Sequence, residues 1–319
     1  MYQQKNDKGY LFMRYSLREE LPGLWFLDLK VGGEEQYIGS YIIASGNEVA
    51  LVEVGPSSTA LNVIHALDEI GFHPTDVKYL LPTHVHLDHA GASGTLLKHF
   101  PNASVIAHKR GVVHLADPEA TLWKASKAVL GFVADIYGKP EPVPNEKIIP
   151  VEDKMSLTLG KLTFEIIPTP GHASHHVCFF FNPGKVVFTG DAVGAYLPSL
   201  DITLPQTPPP FRLEATLKSI ETLISLEPRI GAYTHFGISP EAKRNFKNHY
   251  NQLLIWYECV TEALNKGIPK DSILNVISER DSDLKRFLTN SKKLTGLKRG
   301  VEVSLKGFIE LAMTEKMRT

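Results

Sequence analysis

The chain has 319 residues, 43% of them hydrophobic, enough to bury a sizeable core as one large domain or as a domain with an appendage. Its formal net charge of −1 supplies no global field to gather nucleic acid or an anionic membrane surface. Only two cysteines occur, no apolar run approaches the length of a membrane span, and residues 1–8 lack the apolar centre of a secretory signal, so a cytoplasmic protein is expected.

The first half alternates short strands with helices. Residues 24–29 read as a strand, Gly32-Gly33-Glu34-Glu35 as a turn, and 38–44 as the returning strand of a hairpin. Ser45-Gly46-Asn47 then turns the chain into the apolar run 49–54, which Gly55-Pro56 closes. Ser57, Ser58 and Thr59 offer capping hydroxyls to a helix that reaches Ile70 with Leu61, Ile64, Leu67 and Ile70 on one face; Gly71 stops it. His65 and His73 stand outside any motif and read as surface or cap residues.

The buried-strand run Val77–Leu81 feeds the stretch Thr83-His84-Val85-His86-Leu87-Asp88-His89-Ala90-Gly91. Three imidazoles and a carboxylate fall between positions 84 and 89, at the carboxyl end of a strand, where open α/β sheets place their ligands. In the extended part His84 and His86 point to the same side. The turn after them swings Asp88 and His89 to a second position nearby, an arrangement suited to two metal ions held side by side. Satisfied structural histidines have no need to cluster in this way.

Residues 91–100 read as a short helix and 104–108 as the next strand, with His108 at its end expected as a solvated loop residue. A helix is expected over 118–138, carrying Trp123 and Phe132, followed by the stiff proline-rich connector 139–145. Strands follow at 148–150, 154–159 and 162–167; Pro168-Thr169-Pro170-Gly171 then breaks the pattern and presents His172. His175 and His176 are adjacent on a strand, so at most one faces a metal; His176 is the choice and His175 is left to solvent. Cys178, in the apolar run Val177–Phe181, reads as a buried thiol. Residues 186–191 form a strand ending in Asp191, with Gly190 permitting close approach. The proline-rich segment 198–211 reads as a loop, 213–226 as a helix, and 230–235 as the strand that brings His235. From Ser239 onward the chain is helical, over 240–266, 269–278 and 299–317. Its basic run, Lys285, Arg286, Lys292, Lys293, Lys298, Arg299 and Lys306, reads by default as a solvated face, with an anionic substrate or partner as the sharper alternative.

The His-x-His-x-Asp-His stretch, Pro170-Gly171-His172, Thr189-Gly190-Asp191 and Thr234-His235-Phe236 follow in an order that resembles the metallo-β-lactamase superfamily, over roughly residues 20–240. The resemblance implies an α/β fold, the αβ/βα metallo-β-lactamase sandwich with a helical C-terminal appendage. Residues 1–238 would form the main domain, with 109–147 a helical insertion walling the cleft, and 239–319 the extension. His84, His86 and His172 would hold one divalent ion and Asp88, His89 and His235 a second, with Asp191 bridging. Zinc is the first choice; iron or manganese also suits such a donor set.

By the same resemblance Asp88 is the catalytic carboxylate, orienting a hydroxide or delivering a proton to the leaving group. The family's supporting Asp near the end of an early strand is matched here by Glu53, one methylene longer, so its hydrogen bonds must be arranged differently. His176 matches a packing His, and Tyr196 is a candidate phenol for holding a substrate carbonyl. Trp123 and Phe132 either line a pocket or simply pack. The activity implied is that of a binuclear metal-dependent hydrolase using a metal-bridging hydroxide on an ester, thioester or lactone. Alternatives are a phosphodiesterase or nuclease of the same fold, which the charge disfavours, a mononuclear-iron persulfide dioxygenase, or a non-catalytic metal-binding regulator. Glyoxalase II enzymes also carry a basic helical C-terminal domain, but their glutathione-binding motif has no match here. The partner expected is a small-molecule substrate, with no membrane and no nucleic acid; a homodimer is compatible.

Overall fold

The computed structural model describes residues 4–5, 11–12, 15–182, 184–290 and 294–317; Lys292 and Lys293 of the basic run lie outside them. The chain divides into two compact units, Met1–Pro168 with Val177–Pro183, and Thr169–His176 with Gly184–Thr319.

In the first unit β1 (Gln4–Lys5) pairs with β2 (Leu11–Phe12). A seven-stranded sheet runs in chain order: β3 (Ser16–Leu21), β4 (Leu24–Asp28), β5 (Gly39–Ser45), β6 (Glu48–Val52), β7 (Val77–Leu81), β8 (Ser104–His108) and β9 (Ile148–Val151). Strands β3 to β6 are antiparallel neighbours, whereas β6 to β9 run parallel because longer crossovers join them. One crossover carries α1 (Ala60–Glu69); the next carries α2 (Leu87–Ala90) and α3 (Ser93–Leu97). Val49, Leu51, Leu80 and Val105 share one core with Val63, Ala66 and Leu67 of α1 and with Leu96 and Phe100. The buried face of α1 is therefore shifted from the expected one: Leu61 is 52% exposed and Val63 takes its place. Three antiparallel strands complete the unit: β10 (Met155–Leu159), β11 (Leu162–Pro168) and β12 (Val177–Phe181).

Strand β3 has no counterpart in the sequence reading. Its Ser-Leu-Arg-Glu-Glu-Leu is mostly polar because it is the edge of the sheet, where charge discourages further pairing. The insertion is not one helix. After α4 (Val112–Ala116), a π-helical turn at Glu119–Trp123 leads into α5 (Lys124–Leu130), and Gly131 at φ +58° separates it from α6 (Phe132–Tyr137). Phe132 is 73% exposed there, and Trp123 is half-buried. His108 is buried rather than solvated. Its Nδ1 accepts the Arg110 N–H at 3.1 Å, and burial lowers its pKa, helped by Arg110 and Lys109.

In the second unit β13 (Val186–Gly190) runs parallel to β16 (Ile230–Tyr233), which pairs antiparallel with β17 (Gly237–Ser239). The expected loop at 198–211 is partly strand, since β14 (Ala195–Leu197) and β15 (Ile202–Leu204) form a short hairpin. Helices α7 (Leu213–Ser225), α8 (Ala242–Asn265), α9 (Ile273–Arg280), α10 (Ser282–Asn290) and α11 (Thr295–Lys316) belong to this unit. The unforeseen α10 starts because Asp281 Oδ1 accepts the amides of Asp283 and Leu284. The other Asp281 oxygen takes Gln252 Nε2 and Trp256 Nε1 from α8, so one buried carboxylate joins two helices. Cys178 and Cys259 are both buried and are not disulfide-bonded. Among the described residues, no helix is long and apolar enough to cross a membrane.

Candidate metal centre

The first ligand group grows out of the end of β7. Pro82 lacks an N–H and so ends the strand's pairing; the Thr83 carbonyl is taken by the Val177 amide at 2.8 Å. His86 caps α2, whose single turn closes through the amides of His89 and Ala90 on the His86 carbonyl. That turn brings Asp88 and His89 back beside the strand end, as the spacing predicts.

The ring orientations follow from a chain of hydrogen bonds. Glu53 Oε1 accepts the Thr83 hydroxyl at 2.6 Å, so Thr83 Oγ1 has a lone pair for the His84 Nδ1 proton at 3.1 Å. His84 Nε2 is then the acceptor nitrogen, and it faces His86 Nδ1 at 2.9 Å. A His86 Nδ1 proton satisfies that approach as a hydrogen bond, and a cation shared by the two nitrogens would satisfy it in the proton's place. Glu53 Oε1 also lies 3.0 Å from His89 Nδ1, and His89 Nε2 lies 3.6 Å from Asp88 Oδ2, so the ring stands between two carboxylates. Glu53, His84 and His89 are all buried, whereas Asp88 is partly exposed. The Glu53 backbone sits at φ +60°, a left-handed conformation that costs a non-glycine residue about 1–2 kcal/mol.

The second group comes from three segments of the other unit. His172 follows the proline-rich break, Asp191 follows β13, and His235 lies two residues beyond β16. Gly190 at φ +49° turns the strand end into Asp191. Asp191 Oδ2 lies 3.3 Å from His172 Nε2, and its Oδ1 lies 3.5 Å from His235 Nε2. His172 Nδ1 donates to the Gln206 carbonyl at 2.7 Å, which leaves Nε2 as the lone-pair nitrogen facing the carboxylate. His176 is different. Its Nε2 accepts the Asp191 amide at 3.1 Å and its Nδ1 meets Thr169 Oγ1 at 2.8 Å, so both nitrogens serve the protein. It fixes the backbone of Asp191 rather than offering a ligand atom. His175 is half-buried.

The Tyr196 hydroxyl donates to Asp201 at 3.1 Å, on a carboxylate that also takes Arg244, and burial pushes the phenol's pKa up. Its ring stacks on Tyr233 at 5.3 Å. The main chain of Tyr196 serves the site more directly: its N–H takes the His235 carbonyl at 2.5 Å and its carbonyl accepts the Phe236 amide at 3.1 Å. The sequence reading gives Thr83 and Thr169 no role of their own and does not single out Gln206. The two threonines carry a usable signal, each standing just before a motif, whereas a backbone carbonyl at Gln206 carries none.

The donors in each group, imidazoles beside carboxylates, fit divalent metal ions. Comparison with known proteins agrees with this chemistry. The profile of the Metallo-beta-lactamase superfamily matches residues 36–235. The crystal structure of ST1585, an archaeal metallo-beta-lactamase superfamily protein from Sulfolobus tokodaii, is similar with a TM-score of 0.60 and 26% identity, over 69% of this chain and 81% of that one. The N-acyl homoserine lactonase AttM of Azorhizobium caulinodans is 32% identical over 56% of this chain and 64% of its own. Thioesterase pkgB of Emericella nidulans is 26% identical over 78% of this chain and 63% of its own. The chain thus spans slightly less than two thirds of either enzyme.

Proposed function

We propose that this chain, which belongs to the metallo-beta-lactamase superfamily, is a cytoplasmic metal-dependent hydrolase that cleaves a small ester, thioester or lactone using two divalent ions, zinc first among the candidates. One observation carries the reading. One imidazole in each unit has its outer nitrogen tied, His84 to Thr83 and His172 to the Gln206 carbonyl, and its remaining nitrogen faces another imidazole or a carboxylate. Such preparation suits cation binding and serves no purpose in ordinary core packing.

His84, His86 and His172 would hold one ion, Asp88, His89 and His235 the other, with Asp191 between them. Ions bound there would supply a water of lowered pKa and an electrophile for a carbonyl oxygen. Asp88, the more exposed carboxylate, would orient that water, accept its proton and pass the proton to the leaving group. Thr83 and the Gln206 carbonyl keep His84 and His172 in the tautomer that presents Nε2. Similarity to a lactonase and a thioesterase supports an activated acyl group as the substrate centre.

The test is elemental analysis of protein purified without chelator, followed by a panel of lactones, thioesters and phosphodiesters. Two zinc or manganese ions per chain with turnover of a lactone or thioester is the expected result. A single iron with oxygen consumption on persulfides, or cleavage of phosphodiesters alone, overturns it.

A further inference from the structure

We propose that the C-terminal helix α11 positions a metal ligand: Ser304 fixes the Gln206 carbonyl that orients His172. This inference rests on the reading of His172 as a ligand.

Gly300, Ser304 and Gly307 are spaced four and three residues apart, so they share one face of α11. That face receives the segment Pro205-Gln206-Thr207. A Cβ on Gly307 would lie 1.9 Å from the Thr207 carbonyl oxygen, and one on Gly300 would lie 3.1 Å from Gln206 Nε2. The glycines thus make the groove in which the segment lies. Ser304, fully buried between them, supplies the attachment. Its hydroxyl donates to the Pro205 carbonyl at 2.7 Å and accepts the Thr207 amide at 3.0 Å; the Thr207 hydroxyl donates back to the Ser304 carbonyl at 3.3 Å.

These bonds fall on either side of Gln206. Peptide planes are rigid, so pinning the carbonyl before Gln206 and the amide after it fixes the direction of the Gln206 carbonyl itself. That carbonyl accepts the His172 Nδ1 proton at 2.7 Å. A partner of this kind sets the tautomer and ring orientation of a ligating histidine, and its loss weakens metal binding roughly 10–100-fold. Packing alone would need the glycine groove but not a hydroxyl bonded to both flanks of the one carbonyl that faces His172.

The experiment compares the wild-type full chain, Ser304→Ala and Ile309→Val, a packing change on α11 that removes no polar group. Cobalt(II) uptake is titrated optically, and the His172 tautomer is read by nitrogen NMR on metal-free protein. Ser304→Ala is expected to bind one cobalt about tenfold more weakly, with shifted visible bands and a mixed His172 tautomer. Ile309→Val is expected to match the wild type in all three. If Ser304→Ala does not fold, Ser304→Cys keeps the volume with a weaker donor and is expected to give smaller changes of the same kind. Wild-type affinity, bands and tautomer in the Ser304 variant overturn the inference. A wild-type chain that takes up no cobalt overturns the metal reading and this inference with it, whereas an unchanged tautomer in a cobalt-binding chain overturns this inference alone.

Discussion

The two groups of proposed ligands are built by opposite routes. His84, His86, Asp88 and His89 belong to one six-residue run at the end of β7, where side chains do the aiming: Thr83, held by Glu53, meets the His84 ring. His172, Asp191 and His235 come from three separate segments, and the main chain does most of the aiming: the Gln206 carbonyl, the Asp191 amide on His176, and the His235 carbonyl on the Tyr196 amide. A local cluster needs only its own strand and a neighbour. A dispersed one depends on everything that holds its segments, including helices far along the chain.

The largest effect tests the shared premise. His86→Ala is expected to lose metal and activity together, by at least about a hundredfold, since removing a ligand should exceed the cost of removing a ligand's partner. Full metal content in that variant, by elemental analysis, would break the ligand assignment.

A second test asks whether the dispersed group's unit depends on its buried helix contacts. His249 on α8 is fully enclosed, and burial pushes its pKa down from 6.5 to about 4 although the Gln252 contact opposes the shift. Native His249 is therefore neutral, while the unfolded chain takes up a proton as the pH falls below about 6.5. Stability is expected to decline between about pH 6.5 and about 4, by up to roughly 3 kcal/mol, and to be unaffected by this group above that window. Urea unfolding at pH 7 and pH 4.5 measures the decline; His249→Gln should flatten it, and an unchanged slope would discard the assignment.

The third sharpens the contrast in how rings are aimed. Glu53→Gln removes a side-chain orienter and should weaken metal affinity about 10–100-fold in a chelator competition. Wild-type affinity would mean that Thr83 alone suffices.

Much of this was legible because it is local. Strands β7 and β8 coincide with their apolar runs, and the ligand motif needs only a strand followed by a turn. Glu53 was placed by its position before Gly55, and the structure brings it to His89. What stayed hidden depends on surroundings. Edge strand β3 is polar because only one side of it is paired, and β15 is three residues sheltered in a proline-rich stretch. Helix α10 has few apolar residues and relies on the Asp281 cap. The insertion breaks where Gly131 takes up a positive φ that composition does not announce. The Gln206 carbonyl is beyond any side-chain pattern, since every residue has one.

The bond between Thr207 and Ser304 also has a consequence for synthesis. The partners are 97 positions apart, so at about 5–20 residues per second a ribosome needs roughly 5–20 s to deliver the hydroxyl after the amide it receives. Once His235 has been added, the nascent chain contains every proposed ligand, from His84 to His235, but until Ser304 follows, the Pro205–Thr207 segment lacks its anchor. A chain interrupted before Ser304 therefore retains the metal-binding motifs without the support proposed for His172. On the proposal above, the site gains its last support only when α11 is made.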